Sequence, residues 1–150
     1  MSENEDPTLR SVELIRTATA RYTARNPAGA EIEFGHGEGL MSPVELLLAA
    51  IAGCSSIDVD TVTARSCEPT EFRVGASGHK VVEDGANRVD GLHLAFNVAF
   101  PDTEEGRKAA GMVDRLVTLS HDKYCTVSRT VERGTAVSHE VNVAVGDTAI

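Results

Sequence analysis

Tryptophan is absent from this chain, and only four phenylalanines and two tyrosines are present. The core must therefore be built from valine, leucine, isoleucine and alanine. Basic side chains are also scarce: 14 lysines and arginines stand against 23 aspartates and glutamates, giving a formal charge of -9. No Lys/Arg cluster offsets that balance, so a nucleic-acid partner, which needs a basic patch or stripe, is excluded. The first ten residues, MSENEDPTLR, have neither the basic start nor the apolar run of a signal peptide. They read as a flexible acidic tail, and the protein is expected in the cytoplasm. Cys54, Cys67 and Cys125 form no CxxC pair and no two-half zinc pattern, so no metal is expected. An odd number of cysteines in a reducing compartment indicates free thiols, some inert and some reactive. At 150 residues the chain reads as one domain over residues 11–150, long enough to bury about two thirds of its unfolded surface.

The longest apolar segment, SPVELLLAAIAGCSSIDVDTVTARS, covers residues 42–66 and has Cys54 at its middle. Ser42 and Glu45 form a capping box, and Pro43 occupies the first helical position, where a missing N–H costs nothing. From Leu46 to Cys54 no face carries a charge, so the helix is expected to be buried all round. Asp58, Asp60 and Arg65 interrupt the apolar run before the roughly 20 residues that a bilayer requires, so no membrane partner is expected.

Ahead of this helix, residues 11–25 alternate as a strand ending in the turn Asn26-Pro27-Ala28-Gly29, and residues 30–34 form a second strand. The connector GHGEG, residues 35–39, lacks the spacing and the lysine of a phosphate loop, and no cofactor is expected. After the helix, Glu68-Pro69 stops the chain and residues 71–83 alternate as a strand, with Gly75 and Gly78 marking bulges or close backbone approach. A turn follows at residues 84–87. Residues 91–100 then place Leu92, Leu94, Phe96, Val98 and Phe100 on one face of a strand. A second helix starts at Asp102 or Thr103 and runs to about His121, carrying Ala109, Met112, Val113, Leu116 and Val117 at helical spacing. Residues 122–132 hold a turn and a short helix with Cys125 near its start. Residues 136–145 alternate as a closing strand. The order β-β-α-β-β-α-(short α)-β favours the α+β class.

Cys54 is the first candidate for chemistry. Gly53 beside it costs roughly 1 kcal/mol in a helix interior and implies a second backbone packed against the thiol; a small core hydrophobe is the competing role. Glu45 lies nine residues earlier, on the opposite side of the helix at about 100° per residue, so capping is its favoured role. Asp58 shares the face of Cys54 one turn later, and its charge opposes a thiolate unless a cation is brought in. Arg21 and Arg25 are the candidates for that cation. His121 lies one turn before Cys125, where it either favours a thiolate or complements the carbonyls ending the second helix. Cys67 has no evident role.

The segments SPVELLLAAIAGCSSIDV and HDKYCTVSRTV, in this order and with a long amphipathic helix between them, resemble the two cysteine signatures of the OsmC/Ohr family of thiol-dependent hydroperoxide reductases. Val44 stands where the well-studied branches carry a glutamate, Glu45 one position later, and the arginine turn of those branches has no plain counterpart. The chain is thus most similar to a divergent third branch. The resemblance implies an OsmC-like α+β fold, with two mainly antiparallel sheets around long central helices in an intertwined homodimer. It implies that Cys54 is the peroxidatic and Cys125 the resolving cysteine. The implied substrate is an organic hydroperoxide, and the implied reductant an external dithiol. The alternatives are a non-catalytic protein that binds a small hydrophobic ligand or senses redox state through the same pocket, and a thiol trap for electrophiles.

Overall fold

The computed structural model describes residues 6–146, 148 and 149. The chain divides into two compact units, one containing residues up to Ala52 together with Val74–Ala95, the other Gly53–Arg73 together with residues from Phe96 onward.

The first unit begins with a three-stranded antiparallel meander, β1 (Glu13–Ala18), β2 (Arg21–Arg25) and β3 (Glu31–Gly35). The single strand expected over residues 11–25 is in fact a hairpin. Ala20 turns the chain with a φ of 57°, a left-handed conformation to which alternation in the sequence gives no clue. The next turn follows expectation: Asn26 accepts the Ala30 N–H on its side chain at 2.8 Å and the Gly29 N–H on its carbonyl at 3.0 Å. Tyr22 lies opposite Phe34 in the register, their rings tilted with centroids 5.9 Å apart. Such a cross-strand aromatic pair stabilises a small sheet beyond its buried area.

Helix α1 (Pro43–Thr63) starts in the first unit and continues into the second. Its start is a reciprocal capping box. The Ser42 N–H donates to Glu45 Oε1 at 2.9 Å, and the Glu45 N–H donates to Ser42 Oγ at 3.2 Å. The helix is not buried all round as expected. Ile51, Ser55, Val59 and Thr63 face inward while Val44, Leu47 and Ile57 are exposed, so this chain alone covers one stripe of an apolar cylinder. By length and composition α1 could cross a membrane, contrary to the sequence expectation; Val59 and Thr63 on its inward stripe are fully buried within the chain. A Cβ at Gly53 would meet nothing, so no neighbour requires a glycine at that position. At Gly75 a Cβ would also meet nothing, and at Gly78 the close approach is by side chains, not backbone, with Val89 Cγ1 2.7 Å from where a Cβ would lie.

Strands β4 (Glu71–Glu83) and β5 (Ala86–Ala99) form a hairpin. Asp84 (φ 51°) and Gly85 (φ 76°) supply the two left-handed residues of the turn whose twist suits a two-residue hairpin. Towards its end β5 half-buries Leu94, Phe96 and Val98 and exposes Ala95 and Asn97, as the alternation requires. In the second unit Phe96, Val98 and Phe100 line an open groove with Ala110, Val113 and Val117 of helix α2 (Glu104–Leu119). Thr103 caps α2, its hydroxyl accepting the Gly106 N–H at 3.0 Å, and Glu104 and Glu105 complement the dipole of the first turn.

A π-helical turn (Ser120–Tyr124) then leads to α3 (Thr126–Arg133), capped by Cys125 and ended by Gly134 at φ 68°. The closing strand expected over residues 136–145 is reduced to β6 (Ala144–Val145), paired with β7 (Thr148–Ala149). Residues 134–143 are irregular, and Val137, Val141 and Val143 are exposed. Alternation predicts a strand only where a partner edge exists, and these valines have no ladder among the described residues. The α+β class and the antiparallel pairing stand as expected.

Replacing Ser42 with Ala is expected to cost about 1 kcal/mol of stability, the usual loss for a cap, as measured by urea unfolding. Hydrogen bonds from the Ser42 backbone and then its side chain hold the Glu45 carboxyl below its ordinary pKa. That contribution is present above the unfolded-state pKa and is lost as pH falls through the lower folded value. Glu45→Gln should therefore flatten the acid limb of the stability profile and leave its alkaline limb unchanged.

Candidate functional site

Helix α1 carries Cys54 and the second unit carries the residues around it. The Cys54 thiol sits against the Cys125 thiol and the backbone N–H groups of Val127 and Thr126. Those amides belong to the first turn of α3, where N–H groups have no intrahelical partner and favour negative charge. Burial is the larger influence. It pushes the Cys54 thiol up from its ordinary pKa, the Val127 amide opposes it, the Cys125 thiol adds to it, and the Thr126 amide opposes it more weakly. The outcome is a half-buried Cys54 whose pKa lies above the ordinary thiol value.

Cys125 is fully buried. It is the N-cap of α3, with φ -76° and ψ 94°, and its sulfur accepts the Ser128 N–H at 3.5 Å. Its sulfur also lies 3.2 Å from Ser128 Oγ. This is an N-cap by sulfur and not a reciprocal capping box, because the Cys125 N–H goes to the Ser120 carbonyl and not to the Ser128 side chain.

Behind the thiols is a buried polar cluster. Ser120 Oγ donates to Asp58 Oδ2 at 2.7 Å and lies 3.3 Å from Ser55 Oγ. Having one proton, Ser120 gives it to the shorter, charge-assisted bond. A hydrogen bond to a charged group contributes about 1.5–3 kcal/mol. The Ser120 carbonyl accepts the Cys125 N–H at 2.7 Å and closes the π-helical turn. Asp58 is thus partnered by a hydroxyl, where the sequence suggested an arginine or lysine.

Most of the other expected residues have partners of their own. His121 Nε2 faces Glu132 Oε1 at 3.5 Å, both side chains more than half exposed. Arg25 pairs with Glu31 across β2 and β3 at 2.7 Å, and Arg21 stands opposite Gly35 in the same sheet. Glu45 serves the capping box. Cys67 lies past the end of α1, its thiol reaching the Glu68 carbonyl at 3.5 Å. Ser55, Ser120 and Ser128 escaped the sequence reading, because serines carry no signal until their partners are known. Only Ser128 was open to discovery, through its spacing from Cys125.

The profile of the family described as OsmC-like protein matches residues 35–140. An uncharacterized protein of Mycobacterium tuberculosis is 30% identical over 129 residues, covering 84% of this chain and 91% of its own. The crystal structure of a hypothetical protein from Aquifex aeolicus superposes with a TM-score of 0.67 at 26% identity, covering 85% of this chain and 89% of the other. The organic hydroperoxide resistance protein OhrB of Bacillus subtilis superposes with a TM-score of 0.53 at 20% identity, covering 84% and 91%. At that identity the likeness to OhrB is one of fold. The family match takes in more than half of the chain, including both thiols and every residue of the buried cluster, and the chain belongs to the OsmC-like family.

Proposed function

We propose that the protein is a thiol-dependent peroxidase that reduces organic hydroperoxides through Cys54 and Cys125. The observation that carries this reading is the meeting of the two thiols at the amide-lined start of α3. Cys54, as the thiolate, attacks the terminal oxygen of the peroxide; the O–O bond breaks and the alcohol leaves after taking up a proton. Cys54 becomes a sulfenic acid, which Cys125 converts to a disulfide with release of water. An external dithiol returns both thiols by exchange. The half-buried Cys54 is the accessible partner and the fully buried Cys125 the one suited to follow it. The likeness of fold to an organic hydroperoxide resistance protein supports the same substrate class.

The protein works as a homodimer in this reading. Val44, Leu47 and Ile57 on α1 and Val137, Val141 and Val143 near the C-terminus are exposed in the single chain, and apolar residues of this kind form interaction surfaces where they are contiguous. A second copy of the chain is the proposed cover. The family match runs across residues of both compact units, in keeping with one functional domain beyond the acidic tail.

A second reading is a redox-sensing or ligand-binding protein without rapid turnover. The raised pKa of Cys54 favours it, because a neutral thiol is a poor nucleophile.

Stoichiometric cumene hydroperoxide should remove two thiols from the wild type within minutes, and hydrogen peroxide should do so more slowly. Cys125→Ser should stop at a trappable sulfenic acid on Cys54, and Cys54→Ser should lose peroxide-dependent dithiol oxidation. If both thiols persist in the wild type, the sensing or binding reading takes its place. Because the Cys54 pKa is raised, its alkylation by iodoacetamide should climb about tenfold per pH unit up to and beyond pH 9.0, the ordinary thiol value. A plateau below pH 8 would show that the α3 amides outweigh burial. Sedimentation equilibrium should return twice the chain mass of 15.9 kDa.

A further inference from the structure

Ser120 connects two parts of the molecule that the thiol chemistry needs in register. Its hydroxyl is bonded to Asp58, one helical turn from Cys54 on α1, and its carbonyl to the Cys125 N–H. Ser120 is 1% exposed and Ser55 beside it 3%, while Asp58 is half-buried, so the hydroxyl side of the bond is shielded from water. The turn between Ser120 and Cys125 is π-helical, a poorly favoured geometry that recurs where a helix is adapted to a function. Ordinary α-helical closure would shift the second thiol along the chain. Arg129 donates to the Asp122 carbonyl at 2.8 Å and His121 faces Glu132, so these two side chains bond within the turn and α3.

We propose that Asp58 and Ser120 act as positioning residues for disulfide closure, latching the π-helical turn to α1 so that Cys125 is held at Cys54. The role rests on the two-cysteine reading of the site but not on the identity of the oxidant. In closure the Cys125 sulfur attacks the Cys54 sulfenic sulfur, the S–S bond forms, the S–O bond breaks, and the thiol proton leaves with the hydroxyl as water. The latch touches neither the peroxide nor a reacting sulfur. Its effect is on the effective concentration of one thiol at the other.

The test is the equilibrium of the Cys54–Cys125 pair with oxidised and reduced dithiothreitol, read by peptide mass in the full chain without peroxide. Ser120→Ala and Asp58→Ala should each lower the disulfide equilibrium constant about tenfold, and the double variant should fall no further than either one. Asp58→Asn keeps the shape and a neutral acceptor, so an intermediate fall of about threefold is expected. That variant decides the matter by itself should the alanine variants not fold. A hydrogen bond that only stabilises the fold would lower the Tm of reduced and oxidised protein alike and leave the equilibrium unmoved. Variants that match the wild type, single effects that add in the double variant, or a wild type that forms no such disulfide would each overturn the latch. Failure of the peroxidase reading shows elsewhere, in the single-turnover reaction with cumene hydroperoxide.

Discussion

A serine that uses its hydroxyl on one element and its carbonyl on another constrains where the second thiol can be. Ser120 ends α2, bonds Asp58 of α1 through Oγ, and closes a π-helical turn on the Cys125 amide. Cys125 leaves that turn in extended conformation, which allows it to cap the next helix. The first amides of α3 then face Cys54. Each step depends on the one before it, and only the Ser120–Asp58 bond spans distant parts of the chain.

The electrostatics of Cys54 are a contest that burial wins. Two backbone N–H groups at a helix start favour negative charge on sulfur, yet the thiol remains above its ordinary pKa because desolvation penalises the charged form more strongly. Arg25, an expected source of positive charge, is held by Glu31 in its own sheet. Exposed pairs of this kind add little stability but do commit the guanidinium. A slow, pH-limited nucleophile is consistent with a protein whose thiol pair is well placed and weakly activated. Under the proposed peroxidase chemistry, closure rather than attack is the step that the fold is best arranged to assist.

The apolar residues divide into those the chain buries itself and those it leaves outside. Ile51, Val59 and Ala109 are buried, whereas Val44, Leu47, Ile57 and the C-terminal valines are exposed. With no tryptophan and few aromatics, the aliphatic side chains have to supply most of the burial, and the single chain does not use all of them. That imbalance explains why a helix with no polar face between Leu46 and Cys54 is only partly covered, and why an alternating C-terminal segment has no ladder.

Local signals were legible wherever cause and effect lie within a few residues. The capping box at Ser42 and Glu45, the acidic start of α2, the alternation of β5, the Asp84-Gly85 turn and the placement of Cys125 near the start of α3 follow from the order of side chains along the chain. The α+β class follows from the order of the elements. The split of β1 from β2 did not, since it depends on Ala20 adopting a left-handed conformation against its own preference. A second backbone does lie against the Cys54 thiol, but Gly53 itself meets open space, so the glycine is not what admits it. The partner of Asp58 is a serine 62 residues away, and no periodicity or spacing encodes such a distance. Sequence by itself determined the class, the helices and the two cysteines of interest. The tertiary structure alone decided which polar groups meet at them, because a buried hydrogen bond is specified by geometry and the absence of water, both of which exist only after the chain has packed.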